Sequence, residues 1–201
     1  MRTLDTSWET SGCRDALQIP ATVGPDQARK VCQRVRNLYF QDRRIDFQSI
    51  YNLVQMTGDR WFNVPTMKSA FHHARKARVH LYLFAFQGRY AVINIINGIA
   101  RKLGLPPLPA AVSHGDDYTY RSNSGNFTSH EGKIGEMYSG MIRHFVTTGE
   151  PRPSLPEYQI SWRPFDPAKN DLVRQVYDDY VRLDTISDPM NLVNFWDSLN
   201  I

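Results

Sequence analysis

The sequence predicts an α/β protein, and three observations support that fold class. Residues 79–86 (VHLYLFAF) are apolar at nearly every position, as in a parallel strand that is covered by helices on both faces. Several other segments place apolar residues at the three- and four-residue spacing of amphipathic helices. No other segment has a strand pattern of comparable strength, so we expect the rest of the sheet to lie outside this chain. The chain is therefore predicted to be a piece of a larger α/β domain.

The first helix is predicted to begin at Pro25, because proline favours the first position of a helix. Residues 1–24 are expected to be irregular, with Trp8 as their anchor. The apolar stripe of the helix consists of Ala28, Val31, Cys32, Val35, Leu38 and Tyr39. Cys32 is thus interpreted as a small buried hydrophobe, and Cys13 is placed in a polar loop. A disulfide between them stays open, whereas two cysteines exclude a network of disulfides and a four-thiolate zinc site.

Two further helices are predicted before the buried strand. Asp46 is the expected N-cap of a helix over residues 46–55, and another helix is predicted over residues 65–77. The second of these ends in a cationic cluster that includes His72 and His73, which suits the negative end of the helix dipole. Because adjacent residues on a helix point in different directions, these two histidines are not expected to share a metal ion.

The second half of the chain is predicted to hold a long helix over residues 129–147, which Gly149 ends. His130 and His144 lie off its apolar stripe and are interpreted as surface residues. Two short and more polar segments, 158–162 and 172–177, are hairpin-like around an Asp-Asp pair at 178 and 179. A short final helix is predicted over residues 189–199.

The composition excludes several classes of protein. The chain has 201 residues, a net charge of +4, and 41% hydrophobic residues, which suffices for a core and excludes global disorder. No apolar run is long enough for a membrane span, and no apolar segment of a signal peptide is visible. Residues 1–102 carry 16 basic against 7 acidic residues, and residues 103–201 carry 8 against 13. Because the basic residues fall on polar faces of amphipathic segments and no nucleic-acid module is visible, we predict no nucleic-acid partner.

His114 is the candidate for chemistry. It follows the buried strand and a proline-rich stretch, and loops beyond the carboxyl ends of parallel strands commonly carry functional residues. Gly115 is expected to let the chain turn tightly beside the imidazole. Asp116 and Asp117 come next, and two adjacent carboxylates without further ligands do not indicate a metal site, so we interpret them as loop-capping and helix-starting residues. No cofactor motif is visible, and we predict neither cofactor nor metal.

Six blocks of this sequence resemble, in order, the C-terminal part of the type-B carboxylesterases, the family of insect carboxylesterases, juvenile hormone esterases and cholinesterases. The histidine block is VSHGDD at 112–117, which is similar to the family's HGDD/E loop. The others are GDRWFNVP at 58–65, VHLYLFAF at 79–86, HFVTTGEP at 144–151, SWRPF at 161–165 and NFWD at 194–197. The resemblance covers roughly residues 35–199 and is closest to the insect branch.

The resemblance implies an α/β-hydrolase fold and a serine esterase that hydrolyses small carboxylic esters, with His114 as the general base of a nucleophile–histidine–acid triad. The other triad members are expected outside this chain. No serine lies in a Gly-x-Ser-x-Gly sequence, and Asp5, Glu9 and Asp15 do not lie in the sequence of the family's acid loop. Residues 1–201 are thus predicted to be a C-terminal fragment of a carboxylesterase domain that is inactive alone.

Two alternatives stay open at this stage. One is a non-catalytic member of the family, either an adhesion protein that binds partner proteins or an inactive truncated homologue. The other is a short independent protein with a binding or regulatory role. An open strand edge at residues 79–86 disfavours the second alternative, because such edges aggregate. Expressed alone, the chain is expected to be insoluble or molten.

Asn126 is a candidate site of N-glycosylation, because Asn126-Phe127-Thr128 is an acceptor sequence in a turn rich in Ser, Gly and Asn. Glycosylation requires a secretory route. The sequence leaves the localisation open: the protein is secreted if the full-length parent carries a signal peptide and intracellular otherwise. The oligomeric state is open as well.

Overall fold

Helices and a small sheet divide between two units of the chain. The computed structural model describes residues 2–122, 125–152, 161–169 and 171–201. One unit consists of Met1–Lys76 and Asp188–Ile201, and the other of Ala77–Ser187. The helices of the described residues are α1 (Arg2–Ser7), α2 (Cys13–Leu17), α3 (Pro25–Tyr39), α4 (Ile50–Gly58), α5 (Val64–Ala74), α6 (Val92–Lys102), α7 (Asp117–Ser122), α8 (Ser129–Thr148) and α9 (Pro189–Asp197). The strands are β1 (Leu81–Phe84), β2 (Asp171–Tyr177) and β3 (Val181–Ser187).

Residues 2–17 are helical, so the prediction that residues 1–24 are irregular is wrong for them and holds for residues 18–24. A π-helical turn over Trp8–Gly12 joins α1 to α2 without a break. Trp8 is the anchor that the sequence suggested: it is buried, and its indole nitrogen donates a hydrogen bond to the Cys32 carbonyl at 3.0 Å. Helix α2 is five residues long and buries Cys13 and Leu17. Two buried residues do not form the apolar stripe from which a longer helix can be predicted.

The two cysteines form a disulfide, and Cys13 is not in a polar loop. Cys13 opens α2 and is fully buried, and its partner Cys32 lies on the buried face of α3. The prediction that Cys32 is buried is confirmed, although as half of a disulfide. The bond joins residues 19 positions apart and fixes α2 to α3.

The other helices of this unit begin largely as predicted. Helix α3 starts with Pro25, and Asp46 accepts a hydrogen bond from the Gln48 amide at 2.9 Å while its own amide donates to Ser49 Oγ at 3.0 Å. This capping box opens a 3₁₀ turn that continues into α4. A π-helical turn over Asp59–Asn63 joins α4 to α5. Helix α4 extends to Gly58, beyond its predicted end at residue 55, and α5 ends at Ala74, before its predicted end at residue 77.

Asp59 is the polar centre of the helical unit. Its buried carboxylate accepts hydrogen bonds from Tyr39 Oη at 2.9 Å, Gln55 Nε2 at 2.8 Å and Asn63 Nδ2 at 2.6 Å. The Trp196 indole donates to Tyr39 Oη at 3.0 Å, which connects α9 to the same network. Burial, followed by the charge of Asp59, raises the pKa of Tyr39 and keeps its hydroxyl protonated. The GDRWFNVP block therefore ties α3, α4, α5 and α9 together.

The sheet contains a parallel pair within this chain, which corrects the sequence prediction. Strand β1 pairs in parallel with β2 from Leu81 opposite Arg174 to Phe84 opposite Tyr177, and β2 pairs antiparallel with β3. It is β2, not β1, that is buried along most of its length, and Tyr82 of β1 is 44% exposed. Two polar residues, Arg174 and Gln175, gave β2 the sequence pattern of a surface strand.

Those two residues have different partners, and Gln175 Nε2 has no hydrogen-bond partner among the described residues. Arg174 forms an ion pair with Asp184 on β3 at 2.8 Å, and Gln175 is fully buried and accepts from Tyr177 Oη at 3.2 Å. The hairpin itself is confirmed, because β2 turns into β3 at residues 178–180. The predicted segment 158–162 lies mostly outside the described residues, and Trp162 is buried outside the strands.

The helices of the sheet unit agree with prediction except for one. Helix α6 was not expected, because its β-branched residues lower helix propensity. Helix α8 runs from Ser129 to Thr148 and ends at Gly149, whose φ of +77° is the left-handed conformation that glycine favours. The surface assignment is confirmed for His130, whereas His144 is half-buried, with Nδ1 at 2.5 Å from the Glu150 carbonyl. In the helical unit, α9 confirms the predicted final helix.

Candidate active site

His114 lies on the loop between α6 and α7, in the sheet unit, with an exposed side chain. Gly115 follows it with a φ of +90°, a left-handed conformation that residues with a Cβ atom rarely adopt. Two backbone hydrogen bonds close the turn: the Asp116 amide donates to the Ser113 carbonyl at 3.1 Å, and the Tyr118 amide donates to the Gly115 carbonyl at 3.0 Å. The loop therefore presents the imidazole at the apex of a tight turn, as the sequence predicted for Gly115.

Asp116 holds this loop from inside. Its side chain is buried, and its two oxygens accept hydrogen bonds from the Ser113 amide at 2.7 Å and from the Val92 amide at 2.9 Å. The first bond spans the turn that carries His114, and the second reaches the N-terminus of α6. The loop-capping interpretation of Asp116 is confirmed. The described residues contain no group of three or more His, Cys, Asp or Glu side chains arranged to hold a metal ion.

Asp117 begins α7, as predicted, and anchors the loop to the rest of the unit. It accepts a hydrogen bond from Tyr138 Oη of α8 at 2.6 Å. The hydroxyl oxygens of Tyr138 and Tyr82 are 2.8 Å apart, and because Tyr138 gives its one proton to Asp117, Tyr82 donates to Tyr138. Burial, followed by the bond to Asp117, raises the pKa of Tyr138, which keeps this phenol a donor. The sequence did not reveal these two tyrosines, which occupy ordinary apolar positions of α8 and β1.

A cleft of about 480 Å³ opens beside the histidine. Its lining combines aromatic rings with polar groups and consists of Tyr82, Phe84, Ser113, His114, Gly115, Asp117, Tyr118 and Arg121. The Arg121 guanidinium lies 5.3 Å from the centroid of the Tyr118 ring, a cation–π distance. An exposed imidazole beside apolar walls can receive an uncharged organic substrate and exchange a proton with it.

A comparison with the sequence profiles of protein families shows which family the chain belongs to. The sequence profile of the "Carboxylesterase family" matches residues 3–189.

The chain belongs to the carboxylesterase family.

Its similar relatives are insect esterases. A "Carboxylic ester hydrolase" of Bombus ignitus is 24% identical over 188 residues, which is 89% of this chain and 32% of that protein. "Esterase FE4" of Myzus persicae is 28% identical over 151 residues, 72% of this chain and 25% of the relative. "Venom carboxylesterase-6" of Apis mellifera is 29% identical over 110 residues, 54% of this chain and 19% of the relative. The chain thus spans a third or less of the length of these carboxylesterases.

Carboxylesterase membership implies the α/β-hydrolase fold, and the three-stranded mixed sheet with its helices is consistent with part of that fold. Asp5, Glu9 and Asp15, the other acidic residues considered for a triad role, lie in the helical unit. Asp5 there binds the Ile45 amide at 2.9 Å and Arg36 at 3.0 Å. The Ile45 amide, partly offset by burial, and Arg36 hold the Asp5 pKa below its usual value.

Two further findings bear on partners and modification. No helix among the described residues is long and apolar enough to cross a membrane. Asn126 is exposed in the turn that precedes α8. Its role as a glycan acceptor stays a prediction.

Proposed function

We propose that this chain is the C-terminal part of a serine carboxylesterase and that His114 is its general base. The observation that carries the proposal is the position of His114: it matches the histidine block of the carboxylesterases and lies exposed on a tight, doubly anchored turn at a cleft. A general base must be both accessible to the nucleophile and held in place. The Asp116 and Asp117 bonds provide that restraint without covering the ring.

The reaction follows from the triad chemistry that such a histidine serves. A serine hydroxyl supplied from outside this chain attacks the ester carbonyl, and His114 accepts the hydroxyl proton. His114 then donates that proton to the leaving alcohol, which frees the acyl-enzyme for attack by water. A carboxylate orients the other ring nitrogen, and backbone amides stabilise the oxyanion. Without the serine, this chain alone is proposed to be inactive.

The transcript sequence upstream of residue 1, followed by kinetics of the complete protein, tests this proposal. We expect a Gly-x-Ser-x-Gly sequence upstream and hydrolysis of a simple ester such as p-nitrophenyl butyrate. His114→Ala is expected to lower kcat by about 10⁴- to 10⁶-fold. His130→Ala is the matched control, because His130 is exposed on α8 and does not line the cleft. Full activity of the His114→Ala enzyme would refute the proposal, and a complete protein without the serine would be a non-catalytic binding member.

The proposal extends to the compartment in which the protein folds. Cys13 and Cys32 form a buried disulfide, and disulfides form and persist in oxidising compartments. Asn126 lies exposed in an N-glycosylation acceptor sequence. These two features support a glycoprotein that matures in the secretory pathway. Non-reducing peptide mapping of the protein from its native tissue is expected to recover Cys13 and Cys32 in one linked peptide pair, and free thiols at both positions would refute this part.

A further inference from the structure

The acceptor sequence at Asn126 is held at each of its three residues. The Asn126 amide donates to Tyr90 Oη at 2.7 Å, and its carbonyl lies 3.2 Å from the same hydroxyl and also binds the Arg89 guanidinium. The Phe127 ring stacks on Tyr120 with centroids 5.1 Å apart and meets the Tyr90 ring edge-on at 5.7 Å. The backbone and the central side chain are thus fixed, while Asn126 itself is exposed.

Thr128, the third residue of the acceptor sequence, is the N-cap of α8. Its hydroxyl accepts a hydrogen bond from the Glu131 amide at 3.2 Å and donates to Glu131 Oε2 at 3.0 Å. Its amide donates to the same carboxylate oxygen at 2.8 Å. The folded protein therefore uses the hydroxyl that the acceptor sequence requires for recognition.

We propose that Asn126 receives its glycan only before α8 closes this capping box. The inference rests on the secretory part of the proposed function and is independent of the esterase chemistry. A transferase that recognises Asn-x-Thr needs the Thr128 hydroxyl, and the folded turn offers Asn126 without it. The window for modification is therefore the nascent chain, and the exposed position of Asn126 then allows α8 to fold beneath the attached glycan.

The transfer uses a lipid-pyrophosphate-linked oligosaccharide as its co-reactant. The side-chain nitrogen of Asn126 forms a bond to the anomeric carbon of the oligosaccharide. The bond between that carbon and the pyrophosphate oxygen breaks, and the lipid pyrophosphate leaves with the electron pair. The amide proton passes to a base of the transferase. No oxidation or reduction takes place.

The experiment compares two forms of the complete protein, secreted from insect cells in which synthesis of the lipid-linked donor is inhibited. One form is native, and the other is unfolded by reduction and alkylation. Each is incubated with solubilised oligosaccharyltransferase and its lipid-linked donor. The mass of the peptide that contains Asn126 is then measured by mass spectrometry before and after treatment with peptide-N-glycosidase. We expect at least tenfold more glycan on the unfolded form. Equal modification of both forms would overturn the timing, and no glycan on the unfolded form would overturn the site.

Three variants separate the acceptor sequence from the cap. Thr128→Asp keeps an N-cap acceptor but loses the required hydroxyl, so neither form is modified; Thr128→Ser keeps both and matches the wild type. Glu131→Ala removes the carboxylate that binds the Thr128 amide and hydroxyl and leaves the acceptor sequence intact, so the native form gains glycan. Near-UV circular dichroism checks that it is folded, and Glu131→Asp, whose side chain is one methylene shorter, takes its place otherwise. A folded Glu131 variant that stays unmodified would show that the capping box is not what prevents modification of the folded protein.

Discussion

Glu131 is the most strongly perturbed carboxylate at the start of α8. It is buried, and its two oxygens accept from the Thr128 amide and hydroxyl, from the Arg89 amide at 2.8 Å and from Arg89 Nε at 3.0 Å. Burial raises its pKa, but the hydrogen bonds from Thr128 and Arg89 outweigh burial and lower the pKa to about 2. The ionised carboxylate thereby fastens the segment after β1 to the N-terminus of α8.

This perturbation gives a pH dependence of known sign. Because the folded pKa lies below the ordinary value of 4.5, the Glu131 charge stabilises the fold fully above pH 4.5, and this stabilisation is lost as the pH falls from 4.5 through 2. Glu131→Gln is expected to lower the free energy of unfolding at pH 7 by about 2 kcal/mol and to flatten its pH dependence in that window. Urea titrations of the complete protein measure both, with Glu136→Gln, an exposed change on the same helix, as the control. Parallel pH profiles for wild type and Glu131→Gln would contradict the assignment.

Residues whose partners are close in sequence were predictable, and those with distant partners were not. The turn at Gly115, the bond from the Ser113 amide to Asp116 and the helix start at Asp117 are local features, so local rules anticipated them. Tyr138 reaches Asp117 across 21 positions and Tyr82 across 56. Only the fold brings those hydroxyls together.

The same distinction holds for elements. Helices α3, α8 and α9 carry an N1 proline, a capping box or a terminating glycine, and the sequence predicts their ends to within about two residues. Strand β2 was underestimated because Arg174 and Gln175 interrupt its apolar pattern, and only the paired hairpin brings Asp184 of β3 to Arg174. Helices α1 and α2 were missed because a disulfide and one buried tryptophan stabilise them, rather than an apolar stripe.

The disulfide gives a prediction at this scale. It closes a segment of 19 positions between α2 and α3, and both sulfur atoms are buried in the core of the helical unit. Replacing Cys13 and Cys32 together by alanine is expected to destabilise the complete protein by about 3 kcal/mol, because the unfolded chain regains the freedom that the bond removes. Thermal melts with and without a phosphine reductant measure the effect. The reductant is expected to shift the Tm of the wild type more than that of the double variant, and equal shifts would show that this bond does not stabilise the fold.

At the scale of the whole molecule, the sheet unit leaves apolar groups in solvent. Strand β1 pairs with β2 along one side, and the described residues place no strand along the other. Helix α6 and the loop after it expose several large apolar side chains: Val92, Ile95, Ile96, Ile99, Leu103 and Leu105. Contiguous apolar surface of this kind marks an interface or an aggregation hazard. The Bombus ignitus relative is about three times as long as this chain, and we propose that further parts of such a carboxylesterase domain cover this surface.

This surface predicts how the isolated chain behaves. Residues 1–201 expressed alone are expected to be insoluble or molten and to lack a cooperative melt, because the β1 edge and the outer face of α6 stay uncovered. Light scattering after size exclusion, near-UV circular dichroism and a thermal scan measure this. Ile95→Lys with Ile99→Lys is the matched variant: these side chains are 64% and 54% exposed, so the change removes apolar surface without emptying the core. We expect it to reduce aggregation by several-fold, and co-expression of the upstream part of the parent to restore a cooperative melt. A monomer of the unchanged chain that melts in one sharp transition would show that the chain is an independent domain, and the proposal that it is part of a larger esterase would then fail.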